Sequence, residues 1–331
     1  MEFSTAASRT VIVRAPTRVD LGGGWTDVPP YCDEQGGFVC NVAINRYATA
    51  TVRADETYRP DAAAGAPTST DPLVAAALRR AGVSGVRVEL TSDFPVSSGL
   101  GGSSAASAAV LGALDRWRGV EHDRAAIAEA GRSIEVEEMR IAGGRQDHYA
   151  ATYGGALALT FTEAVAVNRI PVSSETAAEF ERRGILVYTG ESRVSGSTIH
   201  AVIDAYRDRD PRVRGALLAM KTLAAGMAEM LESGDIDTLG AMIAEHWLHQ
   251  RELHPSIPTA RIDEIVMRAH GAGACGAKAM GASGGGCVFV LSAADNVDAV
   301  RAAVVPLGEI VPFAIDHHGL ADVAPEPISP H

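Results

Sequence analysis

The stretch Pro95-Val-Ser-Ser-Gly-Leu-Gly-Gly-Ser-Ser-Ala-Ala106 runs a glycine-and-serine loop straight into a helix-forming alanine run. Gly99, Gly101 and Gly102 permit tight turns and a close approach of backbone to ligand. Ser103 and Ser104 fall where the helix would begin, so they can cap it or bind what sits there. The free N–H groups at that helix start, with the positive dipole end, make a ready site for phosphate. The chain carries no Gly-x-x-x-x-Gly-Lys-Ser/Thr loop, and Gly99-x-Gly101-x-x-Ser104 lacks the third glycine of a dinucleotide fingerprint. The plain alternative is a flexible loop before a capped helix, and three further segments weigh against it.

The first is Ala15-Pro-Thr-Arg-Val-Asp-Leu-Gly-Gly-Gly-Trp-Thr-Asp27. Its glycines give close backbone approach, and Asp27 offers a carboxylate of the kind that holds sugar hydroxyls by charge-assisted bonds. Arg18 can neutralise phosphate charge, or it can simply pair with Asp20 across a structural turn. The second is Glu135-Val-Glu-Glu-Met-Arg-Ile-Ala-Gly-Gly-Arg-Gln-Asp147. Phosphoryl transfer needs a metal that bridges phosphates and a group that orients or deprotonates the attacking hydroxyl. Mg²⁺ takes oxygen ligands and often only one or two carboxylates. Glu135 or Glu137 can be that ligand, although a run of glutamates is more often a solvated helix face. Asp147, behind the Gly143-Gly144 break, is expected on loop backbone facing a ligand. The third is Lys278-Ala-Met-Gly-Ala-Ser-Gly-Gly-Gly-Cys287, between two apolar strands. It has more glycine than a hairpin turn needs, which marks close backbone approach.

The 331 residues, 47% of them hydrophobic, suffice for one large or two medium domains. The net charge of −12 argues against a nucleic-acid binder. No apolar run is long enough to cross a bilayer and the N-terminus lacks a secretory pattern, so no membrane partner is expected. Cys32, Cys40, Cys275 and Cys287 show no CxxC or zinc spacing and read as reduced thiols of a cytoplasmic protein. Strands are expected at Thr10–Arg14, Phe38–Ile44, Tyr47–Arg53, Val86–Leu90, Ala156–Phe161, Ile185–Tyr188, Ala277–Met280, Cys287–Leu291 and near Glu309–Ala314, with a polar turn at Asn45. Helices are expected at Asp71–Ala81, Ser104–Trp117, about Asp123–Met139, Ser197–Arg207, Arg212–Glu232, Asp237–Leu248, Thr259–His270 and near Asn296–Val304. The mixture predicts an α+β fold rather than a doubly wound parallel sheet.

Together, in this order and separation, the segments resemble the three motifs of the GHMP kinases, the superfamily of galactokinase, homoserine kinase and mevalonate kinase. The branch most resembled is that of heptose 7-phosphate kinases and fucokinases. Arg18-Val-Asp-Leu-Gly-Gly-Gly-Trp-Thr-Asp27, Gly99-Leu-Gly-Gly-Ser-Ser104, Gly144-Arg-Gln-Asp-His-Tyr149, Tyr188-Thr-Gly-Glu-Ser-Arg193 and His246-Trp247 carry that likeness. The resemblance implies a two-lobed fold, an S5 domain 2-like N-lobe over 1–172 and a ferredoxin-like C-lobe over 173–331, with the site in the cleft. It implies ATP and Mg²⁺, and phosphorylation of the anomeric hydroxyl of a sugar or sugar phosphate by a monomer or homodimer. Asp147 would be the base or orienting carboxylate, and Arg18 would lie near the transferred phosphoryl group. Gly99, Leu100, Gly101, Gly102, Ser103 and Ser104 would wrap the ATP phosphates. Ser103 with Glu137 or Glu135 would hold Mg²⁺. Gly23, Gly24, Trp25, Thr26 and Asp27 would bind the sugar. Gly281, Ser283, Gly284 and Gly285 would line the site, and Arg193, Ser192 and Lys221 would hold a distal phosphate.

This chain departs from the pattern at three places. Ser283 stands for a usual glycine, Gly102 for the Thr of heptose kinases, and His148 for a common Gln, where it is expected to alter substrate contacts. A kinase of a free sugar, a kinase of a non-sugar alcohol, and a non-catalytic sugar/ATP sensor on the same fold are the competing readings. Retention of Asp147 argues against the sensor.

Overall fold

Residue Pro16 does not stop the first strand where local propensity would. In the computed structural model, which describes residues 9–55, 71–191 and 196–324, β1 spans Thr10–Gly22. It pairs antiparallel with β2 (Gly37–Ala54) from Thr10↔Arg53 to Gly22↔Cys40, with register breaks at Pro16/Thr17 and Asp20/Gly22. The two strands expected on either side of Asn45 are therefore one. Asn45 makes no turn because Ala314 takes up its polar groups: its N–H donates to Ala314 O, and its Oδ1 accepts from Ala314 N–H at 2.7 Å. Beside β2 lie β3 (Val86–Ser92) on one part and β4 (Ala156–Phe161) on the other, followed by β5 (Val165–Arg169). The short strand Ala321–Asp322 returns to β1 and completes six strands.

A second antiparallel sheet contains β6 (Gly184–Tyr188), β7 (Ala274–Ala279), β8 (Cys287–Ser292) and β9 (Glu309–Ile310), in the order β7-β8-β6-β9. The final strand is shorter than expected.

Helix α1 (Tyr31–Gln35) follows the first motif, and α2 (Pro72–Ala81) has the Asp71 cap and first-position proline that the sequence predicts. Helix α3 (Gly102–Arg118) lies on β1 and β2. Its small residues allow that closeness: a Cβ on Gly112 would stand 2.9 Å from Leu320. The helix expected to reach Met139 stops early. Helix α4 is Arg124–Ser133, and Ile134–Glu138 continues as one π-helical turn.

Asp147 is not on loop backbone. It sits in the first turn of α5 (Gln146–Tyr153), a helix that local sequence does not announce. Helix α6 (Ser174–Arg183) is likewise unexpected, although Ser173 caps it by accepting from Thr176 N–H. Helices α7 (Gly196–Arg207), α8 (Pro211–Ser233), α9 (Ile236–Glu252), α10 (Ala260–Gly271) and α11 (Val297–Val304) fall close to expectation. A shared core of Val19, Leu21, Val42, Met227, Leu231, Phe180 and Phe289 joins the first sheet to α8, α6 and the second sheet. That core fixes β1, and hence Arg18, relative to the β7–β8 loop.

Candidate active site

A cavity of about 610 Å³ lies where the glycine-serine loop, the first motif, α5 and the β7–β8 loop converge. Arg18 is part of its wall. Its side chain is 3% exposed, and it does not pair with Asp20. Its Nε and Nη2 donate to Asp147 Oδ1 at 2.8 and 2.7 Å, and Nη1 donates to Gly99 O at 2.7 Å. The Arg18 N–H also donates to Leu100 O at 3.0 Å. One planar guanidinium thus ties the carboxylate of α5 to the glycine-serine loop, a geometry a lysine cannot reproduce. Asp147 Oδ1 is consumed by this fork, and the Asp147 side chain stays 27% exposed to the cavity.

Gly101, not a serine, is the N-cap of α3, at φ 76°, and no side chain caps the helix. The first backbone bond of the helix runs from Ala105 N–H to Gly101 O, which leaves the start of α3 directed at the cavity. A Cβ on Gly101 would touch the Asp147 carboxylate at 3.0 Å. At Gly102 a Cβ would overlap the Phe94 ring, which accounts for the absence of a larger residue there. The glycine-serine loop leans on the β7–β8 loop. Cys287 N–H donates to Ser98 O at 2.7 Å. Ser283 adopts φ 62° and accepts a bond from Gln250 Nε2 at 3.1 Å, so the departure from glycine adds a tether.

Glu135 and Glu137, two residues apart within the same π turn, separate cleanly. Glu135 is buried in the cavity wall, while Glu137 is exposed and accepts from Ser133 Oγ. Burial would raise the Glu135 carboxyl, but the His148 ring beside it, helped by the neighbouring Ser103 and Ser104 hydroxyls, holds it below its usual range. His148 is 1% exposed, with Nε2 3.2 Å from Glu135 Oε2. The expectation that His148 alters substrate contacts is therefore corrected: it supports Glu135 from behind.

Asp27 is 2% exposed, and its Oδ2 accepts from Arg145 N–H and Gln146 N–H at 2.7 and 2.9 Å. It caps α5 from 118 residues away along the chain. A Cβ on Gly144 would overlap this carboxylate, so the Gly-Gly break serves Asp27. Burial pushes the Asp27 carboxyl up to about 6, against two lowering backbone bonds and with Asp147 and Asp20 adding to the rise. Because the folded value lies above the ordinary 3.8, this contribution to stability is present below about pH 4 and is lost as pH rises through 6. In urea unfolding, Asp27→Asn should therefore gain on the parent by on the order of 3 kcal/mol between pH 4 and pH 7. A difference that does not change with pH would refute this.

The remaining sugar-side residues divide. Gly24 and Trp25 line the cavity, and Trp25 holds φ 80°. Thr26 is fully buried and spends its hydroxyl on Gly23 O, Phe38 O and Phe38 N–H, so it is structural. Gly23 is held by its N–H donating to His246 Nε2 at 2.9 Å. Burial keeps His246 well below its ordinary value and hence neutral. Lys221 does not line the cavity. Its ammonium caps α1 by donating to Gln35 O at 2.9 Å and Gly36 O at 3.3 Å. Ser192 and Arg193 lie outside the described residues. Gly281, Ser283 and Gly285 line the cavity, whereas Gly284 donates to Ile257 O behind it. Sequence reasoning alone passes over Asp20, Gln146 and Gln250. Only Asp20 carries a signal, as a carboxylate two residues from Arg18.

The GHMP kinases N terminal domain matches residues 72–155, and the GHMP kinases C terminal domain matches 227–306. The chain is 27% identical over 306 residues to a D-glycero-alpha-D-manno-heptose 7-phosphate kinase of Campylobacter jejuni, covering 85% of this chain and 89% of that one. It is 28% identical over 325 residues to the bifunctional fucokinase/GDP-fucose pyrophosphorylase of Arabidopsis thaliana, covering 86% of this chain and 30% of that longer protein. A D-glycero-D-manno-heptose 1-phosphate kinase structure from Bacteroides thetaiotaomicron shares the fold at TM-score 0.75 and 23% identity, covering 96% of this chain and 100% of that one. Lactococcus lactis galactokinase, complexed with galactose, does so at 0.74 and 17%, covering 95% of each chain. With both domains matched in chain order around the Arg18–Asp147 cavity, the chain belongs to the GHMP kinases.

Proposed function

We propose that this protein transfers the γ-phosphoryl group of ATP to the anomeric hydroxyl of a sugar phosphate. The acceptor is of the D-glycero-D-manno-heptose 7-phosphate kind or a longer octose 8-phosphate, and the products are the sugar 1-phosphate and ADP. The observation that carries this is the Arg18 fork, which joins the Asp147 carboxylate to the carbonyl of Gly99. The relatives named as heptose kinases supply the acceptor class.

In this reading Asp147 accepts the proton of the anomeric hydroxyl as its oxygen bonds to phosphorus and ADP departs. Arg18 holds Asp147 in place and offsets charge that develops on the transferred group. The Gly99–Ser104 loop and the start of α3 bind the ATP phosphates through backbone N–H groups. Residues 1–172 and 173–331 are taken as the two lobes, with Ala321–Asp322 reaching back onto the first sheet. The unpaired thiols and the use of ATP fit a cytoplasmic enzyme; among the described residues no helix is long and apolar enough to cross a membrane.

Ser103 and Glu135 fit a magnesium ion, because one carboxylate and one hydroxyl in the cavity wall complement a cation that takes its other oxygens from phosphates and water. When bound, the ion would supply positive charge that offsets the charge of the ATP phosphates. Glu135→Gln and Ser103→Ala should each raise the Mg²⁺ concentration for half-maximal activity about tenfold, with Glu137→Gln unchanged. Equal titrations in all three variants would remove this assignment.

A free sugar of the fucose or galactose kind is the second reading. The fucokinase relatives favour it, and so does the cavity wall, where Arg18 is the only cationic side chain among the described residues. A coupled ADP-release assay with Mg-ATP decides between them, over heptose 7-phosphate, an octose 8-phosphate, fucose, galactose, mevalonate and homoserine. Turnover confined to the phosphorylated sugars supports the first reading, and turnover of free sugars the second. Turnover of mevalonate or homoserine alone overturns both.

A further inference from the structure

At the acceptor end of the cavity Gln146 and Asp20 each carry a polar atom that pairs with nothing among the described residues, and both side chains adjoin Gly24. Asp147 Oδ1 is taken by Arg18, and Asp27 Oδ2 by two backbone N–H groups. Gln146 Oε1 accepts from Asn41 Nδ2 at 3.4 Å, while Gln146 Nε2 donates no hydrogen bond among the described residues. Asp20 is 3% exposed and lies in the cavity wall. Its Oδ2 faces Lys278 Nζ at 3.2 Å, and its Oδ1 is buried with no partner. Trp25 Nε1 is likewise buried without a partner. A Cβ on Gly24 would overlap Asp20 Oδ2 and stand 2.9 Å from Gln146 Nε2. The missing side chain is thus what lets a carboxylate and a carboxamide pack close to Gly24 and stand together in the cavity wall.

An unpaired buried acceptor is costly, and a native fold keeps one only for a reason. Lys278 is fully buried and donates to Asp20 O at 2.8 Å as well, so this carboxylate is charge-paired and fixed in place. Three carboxylates, Asp20, Asp27 and Asp147, converge here, which disfavours any anionic group at this end and suits neutral O–H donors. We propose that Asp20 and Gln146, across Gly24, form a subsite for a ring hydroxyl of the acceptor sugar. That hydroxyl donates to the Asp20 carboxylate and accepts from Gln146 Nε2. The subsite selects sugars by the presence of that hydroxyl, and it rests on the sugar-kinase reading above.

The test uses the sugar that the acceptor panel identifies together with its 2-, 3- and 4-deoxy analogues. In the parent enzyme, one deoxy analogue should lose about 30-fold in kcat/KM, as a site built to hydrogen-bond a hydroxyl rejects its absence. In Gln146→Met, the parent sugar should lose about as much and that analogue should draw level with it, with KM for ATP within about twofold. Asp20→Asn should do the same, but it leaves Lys278 without its counter-charge and puts folding at risk, so Gln146→Met carries the decision. Equal turnover of all deoxy analogues by the parent enzyme overturns the subsite. So does discrimination that survives in Gln146→Met, or a KM for ATP that shifts as much as that for sugar. No turnover of any sugar overturns the kinase reading and the subsite with it, whereas turnover without the discrimination overturns the subsite alone.

Discussion

Asp147→Asn is expected to lower kcat by at least about 10³-fold while leaving ATP affinity within about twofold. The carboxamide has the shape of the carboxylate, and its oxygen can still accept from the Arg18 fork that now meets Asp147 Oδ1. Helix α5 keeps its start, because Asp27 and not Asp147 takes the N–H groups of Arg145 and Gln146. What is lost is the acceptor for the anomeric proton and the charge that faces Arg18, itself 3% exposed. Single-turnover kinetics with saturating Mg-ATP and acceptor read the chemical step directly. Rates near those of the parent would remove Asp147 from the reaction and leave it a positioning partner of Arg18.

Features written in contiguous residues are legible in the sequence alone. The Asp71 cap with Pro72, the glycine-serine loop before α3 and the dense glycines between β7 and β8 belong to this class. Each encodes its own local geometry, and a turn or cap needs nothing remote to specify it. Features that depend on a distant partner are not legible. Helix α5 has weak amphipathic character and no cap of its own, and its start is completed by Asp27 from the first motif. Asn45 reads as a turn residue, yet Ala314, 269 positions away, keeps it in a strand. Lys221 reads as a solvent-facing cation available to a phosphate, but it closes the carbonyl end of α1. The glutamates are undecidable for a different reason. Helical faces are assigned at 3.6 residues per turn, and the π turn at Ile134–Glu138 breaks that count between α4 and the site. Glu135 therefore faces inward and Glu137 outward, a result fixed by one extra residue in the turn.

The order and spacing of the three glycine-bearing segments carry more about the site than any one of them does, and the packing of the loops gives the reason. Gly99 stands at φ 74°, and Gly281 at φ 60° approaches it so closely that a Cβ on Gly281 would lie 3.1 Å from Gly99 Cα. The two loops therefore support each other, and each constrains the residues the other can tolerate. Gly99→Ala should expose this. Its Cβ would lie 2.8 Å from Met280 O, a backbone atom that cannot swing away, and alanine would also be forced into the left-handed region. Gly82 separates the two costs. It closes α2 at φ 62° with nothing within 4 Å of its Cβ position, so Gly82→Ala suffers the backbone strain alone. Urea unfolding should show a loss of about 1 kcal/mol for Gly82→Ala and about 2–4 kcal/mol for Gly99→Ala. Calorimetric titration should show ATP affinity unchanged in the former and weakened at least about tenfold in the latter, since Gly99 O also anchors Arg18. Equal losses of stability with intact ATP binding in both variants would mean that the β7–β8 loop moves freely aside. The glycine-serine loop would then not depend on it for its shape.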